Sequence, residues 1–366
     1  MSIGGMWPLQ NQPSLFYLWL TFCILNLCLM LGDLIQVLGD LNCVITNLCA
    51  TAPLIMITSK MLVLKYSTML RKLMRQVELS ENEIDFKNEE ERRIYMSYNS
   101  IGLKFFRIVL WISLAATSVY YIKNLKINVN NEQLAESIKI LLPYRIYIFH
   151  IIQNIRNYYI FYACECPMVY IATCHGIIAC FVWSLIIDVC GQLSVLSFRI
   201  RNMQSNSPVN RLESVLRDII QRHDKLIWNS KIIDGAFNLS LLVELVACTI
   251  IMALCMYNMI VNSNFSDATE FLSFLLYILM MFVVIYGYCF AGELLAQESL
   301  NVRDSCYECD WYNMPPRCKK MLIMCMIRTR TPLQMTGGGF YIYNIESLTS
   351  VLKTAMAYGS MLRHVA

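Results

Sequence analysis

The chain has 366 residues, of which 57% are hydrophobic and 15% charged, with a net charge of +4. A soluble domain usually holds about 45–50% apolar and about 25% charged residues, so the composition excludes an ordinary water-soluble globule. The slight positive excess makes no case for nucleic acid.

Apolar stretches of the ~17–25 residues needed to cross a bilayer recur along the chain. The expected fold is an all-α membrane protein with seven transmembrane helices. The first span covers about 15–35. Residues 1–14 hold no Lys or Arg, so it reads as an uncleaved span and no removable leader is expected. The second, about 41–62, lies between Asp40 and Lys60 and carries Pro53 as a kink. The third, about 103–122, is short and borrows from the preceding residues. The fourth, about 165–187, runs between Glu165 and Asp188. The fifth, about 236–261, contains Glu244, a functional candidate as an acid inside a span, for which snorkelling or a local salt bridge is the alternative. The sixth is about 270–292. The seventh, about 345–365, is interrupted by Lys353 and is the weakest by hydropathy.

Lys and Arg in short loops accumulate on the cytoplasmic side. The segments after spans two, four and six carry 22 of the 30 basic residues, and the opposite side carries five, all between spans three and four. The N-terminus is therefore expected in the cytoplasm and the C-terminus outside. A glycosylation sequon, Asn264-Phe265-Ser266, falls in an expected outside loop; a second, Asn238-Leu239-Ser240, falls at the fifth span. The segment 123–157 mixes polar residues with an amphipathic stretch and is expected to lie on the membrane or cap a pocket. "TMLRKLMRQVELSENEIDF" and "SVLRDIIQRHDKLIWNSKII" alternate charge with apolar residues at helical spacing, which predicts cytoplasmic helical extensions.

In the last span Ser347, Ser350, Thr354, Tyr358, Met361 and Val365 are spaced 3, 4, 4, 3 and 4 and form one stripe. A polar stripe is costly against lipid, so it faces protein or water. Two readings follow: a helix buried in the bundle, or a pore-lining helix. The stripe turns apolar at Met361 and Val365, and a ring of such side chains can close a pore by dewetting.

The sixteen cysteines do not build a disulfide framework in this topology, because few lie in outside loops. Cys306, Cys309 and Cys318 lack a second close ligand pair, so no metal is expected. No phosphate loop, zinc helix motif or nucleophile elbow is present, and no enzyme or cofactor is expected.

"YCFAGELLAQES", "DWYNMP" and "RTRTPLQMTGGGFYIYNIESLTSVLKTAMAYGSMLR" resemble the insect odorant receptor family. Tyr288, Cys289, Gly292, Glu293 and Leu294 match the end of its sixth helix. Trp311 and Tyr312 match its third cytoplasmic loop. Pro332, Leu333, Gly338 and Phe340 match the approach to its last helix, and Leu348, Leu352, Lys353, Tyr358, Leu362 and Arg363 match that helix. His223 falls where the family has a histidine ahead of its fifth helix. Ala357 stands where serine is frequent, and Gly359 where an aromatic is common.

The resemblance implies an odorant-gated, weakly selective cation channel subunit in the plasma membrane of a sensory neuron dendrite. It works beside a shared co-receptor in a heterotetramer. The segment between spans four and five is too short for that co-receptor, so a ligand-tuning subunit is implied. A gustatory-type channel or a metabotropic seven-helix receptor are the alternatives. The implied pore and gate residues are Ser350, Thr354, Tyr358, Met361, His364 and Val365. The implied pocket for a volatile ligand lies among helices two to six. Residues at that depth include Val44, Ile45 and Leu48 in the second span, and Ser118 and Tyr121 in the third. Met168, Ile171 and His175 follow in the fourth, Met256 in the fifth, and Phe274 and Tyr277 in the sixth. His175 could bond a carbonyl or hydroxyl ligand.

Overall fold

A computed structural model of the chain describes residues 13–39, 41–81, 86–129, 155–203, 208–261 and 268–365. Its first helices are α1 (Pro13–Gln36), α2 (Leu41–Tyr66), α3 (Thr68–Glu81), α4 (Glu89–Val129) and α5 (Ile155–Cys164). Then come α6 (Cys166–Arg201), α7 (Val209–Val261), α8 (Ala268–Glu308), α9 (Pro316–Arg328) and α10 (Ile345–Val365). A 3-10 turn at Trp311–Asn313 precedes α9, and a small hairpin, β1 (Thr336–Gly337) with β2 (Tyr341–Ile342), precedes α10.

Among the described residues six helices, α1, α2, α4, α6, α7 and α8, are long and apolar enough to cross a membrane. α10 is the more polar helix, with serines, threonines, Glu346 and Lys353 along its length. On the outside of the bundle Leu18, Leu25, Trp111, Leu275 and Leu279 are exposed. Apolar residues on the outer as well as the inner face are what a lipid-facing helix carries. α6 is buried along most of its length and packs against α2, α4, α7 and α8. It is the hub of the bundle.

Pro53 does not end α2. A proline has no N–H, so the carbonyl four residues earlier, Cys49 O, loses its helical donor. The Tyr277 hydroxyl on α8 donates to that carbonyl at 2.9 Å. A neighbouring helix thus supplies what the kink removed, as a chain without water at that depth requires.

The two stretches expected to extend from the membrane are helical. One is α3. The other is the first part of α7, continuous with the fifth apolar stretch. α7 has 53 residues, which at 1.5 Å per residue is about 80 Å against a hydrocarbon core of ~30 Å. Beyond the apolar stretches α4, α6 and α8 are tied by polar contacts. Arg199 grips Glu91 with Nε to Oε1 at 2.9 Å and Nη2 to Oε2 at 2.7 Å. Tyr98 donates to Glu298 at 2.7 Å. Residues 130–154 of the amphipathic segment and the sequon at 264–266 lie outside the described residues. The second sequon lies within α7, with Ser240 buried.

The hairpin departs from the all-α expectation. Gly338 and Gly339 turn it with φ of 63° and 79°, a left-handed conformation that favours glycine. The Gly338 N–H donates to Asn238 O at 2.9 Å, and the Tyr343 hydroxyl donates to Leu241 O at 2.8 Å. Both bonds pin the approach to α10 onto α7. A Cβ at Gly292 would collide with the Tyr343 carbonyl, so α8 needs glycine where that segment crosses it.

Candidate ligand pocket and pore face

A cavity of about 70 Å³ lies between α2, α4, α6 and α8. Leu54, Ala116, Ile171, Met280 and Met281 make its wall mainly apolar. Ser113, Thr117, Tyr120, His175 and Tyr277 supply the polar groups. Three of those hydroxyls already donate to backbone: Thr117 to Ser113 O at 2.8 Å, Tyr277 to Cys49 O at 2.9 Å, and Tyr120 to Thr46 O at a longer 3.5 Å.

His175 joins the cavity to a buried charge cluster. Its Nε2 lies 3.2 Å from Glu244 Oε1. Lys60 Nζ lies 2.8 Å from each Glu244 oxygen and donates to Tyr288 Oη at 3.2 Å. The side chains of Lys60, Glu244 and His175 are at most 4% exposed. Removing charges from water costs several kcal/mol per ion unless they are paired, and here one ammonium answers one carboxylate. Lys60, read from the sequence as the end of the second span, is instead buried inside α2. Glu244 does not snorkel; it forms a salt bridge, and its partner is Lys60, while Lys353 is exposed on α10.

Of the eleven residues expected at a pocket, four (Met168, Ile171, His175 and Tyr277) share this cavity's wall. The other seven do not line it. Ser118 is exposed. Tyr121 is engaged with Tyr162, each hydroxyl donating to the other's carbonyl at 2.7 and 2.6 Å. Ile45 and Phe274 are buried in the core, and Val44, Leu48 and Met256 are half-buried. Met256 faces α10, near Gly359.

α10 packs on α7 and α8 through Leu348, Val351, Ala355 and Gly359. At Gly359 a Cβ would stand 3.4 Å from Ala253 O, so the small residue lets the two helices approach closely. Ser350, Thr354, Tyr358 and Met361 are exposed on the other side. The backbone of α10 continues through His364 and Val365, whose side chains lie outside the described residues.

A model of the seven-transmembrane odorant receptor family matches residues 40–356. The chain belongs to the odorant receptor family. Among curated relatives of this receptor is Odorant receptor 13a of Drosophila melanogaster, 24% identical over 194 residues, covering 48% of this chain and 46% of that one. The Odorant receptor coreceptor of Ooceraea biroi is 22% identical over 41% of this chain and 31% of its own. These matched stretches span less than half of either relative. Solved structures of the insect olfactory receptor OR5 from Machilis hrabei are similar in fold. One superposes with a TM-score of 0.79 at 15% identity, over 95% of this chain and 88% of that chain. Another, in complex with eugenol, gives 0.81 at 16%, over 100% and 95%. The receptor is thus a multi-pass membrane protein of an insect odorant receptor family.

Away from the pocket, the receptor buries Cys306, Cys309 and Cys318 together with Cys325. Cys325 Sγ lies 3.9 Å from His223 Nδ1. The Cys306 thiol, and then the His223 imidazole, draw the Cys325 thiol below its usual range. Sequence spacing singled out the first three cysteines and His223, but not the Cys325–His223 pairing, which forms only where α9 packs on α7.

Sequence reasoning also missed Ser113, Thr117 and the Met280–Met281 pair. The usable signal was Pro53. A proline inside a span frees the carbonyl four residues before it, and that carbonyl draws a hydroxyl to the cavity wall.

Proposed function

We propose that the protein is the ligand-tuning subunit of an odorant-gated, weakly selective cation channel. It crosses the plasma membrane of a sensory neuron dendrite seven times, with its N-terminus inside, and assembles with a shared co-receptor into a heterotetramer. A volatile ligand enters the cavity between α2, α4, α6 and α8, and α10 lines the common pore.

The carrying observation is the face of α10. Its small and apolar stripe is spent on α7 and α8, while Ser350, Thr354, Tyr358 and Met361 point away from the chain's own bundle. A polar face at bilayer depth is costly against lipid and acceptable against water. Met361 and Val365 then form the dewetting gate, and His364 stands at the outer mouth. The path from cavity to gate runs through touching groups. Glu244 and Tyr288 surround Lys60, Tyr288 meets Tyr343 edge-on at 6.0 Å, and Tyr343 leads into α10. A ligand moves the closed–open equilibrium only by the difference in its affinity for the two states.

Co-expression with the family co-receptor, followed by a broad volatile panel under voltage clamp, tests this. Ligand-evoked cation current is expected. Surface-expressed protein that stays silent would refute the channel reading.

A further inference from the structure

The reading of the cavity as the ligand site leaves open what the site recognises, and the inference here rests on that reading. Among the described residues Glu244 is the only polar contact of His175. The cluster already balances one carboxylate with one ammonium, and a second buried cation would be uncompensated, so the imidazole is neutral. A bare nitrogen lone pair 3.2 Å from a carboxylate oxygen would be repelled. The proximity of the carboxylate therefore places the proton on Nε2 and leaves Nδ1 as an acceptor.

The rest of the wall points the same way. The hydroxyl hydrogens of Thr117 and Tyr277 are committed to Ser113 O and Cys49 O. What those oxygens offer a guest is lone pairs. Pro53, also on the wall, has no N–H to give. The Tyr120 hydroxyl is directed to Thr46 O at 3.5 Å, and Ser113 is left as the hydroxyl able to turn either way.

We propose that the cavity selects compact apolar molecules bearing one hydrogen-bond donor, alcohols and phenols, and that Nδ1 of His175 is the specificity-determining acceptor. The matching ketone or methyl ether brings a lone pair to a wall that already presents lone pairs. Size limits the class too. The cavity is about 70 Å³, about half the ~150 Å³ of an engineered cavity that takes benzene, so short chains fit it as it stands and nothing larger than a single ring enters, with the flexible Met280 and Met281 side chains giving way.

The test is direct binding, followed as the ligand-induced rise in melting temperature of the detergent-purified protein. The matched probes are cyclohexanol against cyclohexanone, and phenol against anisole. The donor of each pair is expected to bind about tenfold more tightly, the worth of one hydrogen bond. His175→Leu is expected to erase that ratio. Equal or tighter binding of the ketone and ether to the wild type overturns the proposal, and so does binding of none of the four probes. A donor preference that survives in His175→Leu overturns the assignment to His175. If that variant does not fold, the wild-type ratio alone decides. Binding without current would count against the channel function and leave this inference standing; current evoked only by other volatiles would do the reverse.

Discussion

Lys60 and Glu244 show what a buried ion pair asks of its surroundings. Glu244→Ala would leave the Lys60 ammonium in the bundle interior without its carboxylate. Breaking a buried pair from one side costs about 3–5 kcal/mol, so the variant should melt well below wild type or fail to reach the surface. The double variant Lys60→Met, Glu244→Met removes both charges and should recover most of that loss, because apolar replacement of a whole pair is often neutral. Thermal melts of the purified proteins check both; a double variant no more stable than the single one contradicts the pairing. Tyr277→Phe is a smaller lesion. It strands the carbonyl freed by Pro53 and should cost about 1–3 kcal/mol in the same assay. Glu244 was visible in the sequence as an acid inside a span. Its partner was not, because a linear count takes a lysine near the end of an apolar run as the water boundary. Only the packing of α2 on α7 shows that Lys60 is inside.

At the level of elements, α10 is defined by two opposed faces. Of the residues that the sequence period groups as a polar stripe, Ser350, Thr354, Tyr358 and Met361 are exposed and Ser347 is half-buried, while Leu348, Val351 and Ala355 on the opposite side are buried. The sequence could not show what Gly359 does, because its role depends on the backbone of α7. Gly359→Leu should push α10 off α7 and lower surface expression, readable by surface biotinylation; normal levels would show that the contact is dispensable. Met361→Ser tests the other face. If Met361 belongs to a hydrophobic closure, a hydroxyl there wets it, and resting leak current should rise several-fold with ligand response retained; unchanged basal conductance removes Met361 from the gate. The hairpin before α10 was illegible as strand, since two-residue strands leave no periodic pattern. Its glycines were nonetheless part of the motif that carried the resemblance.

For the whole molecule, the apolar stretches and helical extensions were readable because both follow from period and charge. The helices α4, α7 and α8 are longer than any bilayer requires. Their added turns are held by pairs such as Arg199–Glu91, which link positions 108 residues apart and leave no trace in local sequence. Orientation is argued from charge alone. With 22 basic residues after the second, fourth and sixth apolar stretches and five on the other side, the membrane potential and the anionic inner leaflet both favour the first set in the cytoplasm. An epitope fused after Ala366 should then be stained on intact cells, and one fused before Met1 only after permeabilisation. The count of crossings enters the same experiment. Among the described residues six helices are apolar enough to cross unaided, and an even number would put both tags on one side. Opposite staining requires that α10, with its hydroxyls and Lys353, also spans. It can do so only where something other than lipid meets its polar face, and that is the condition a shared aqueous pore supplies.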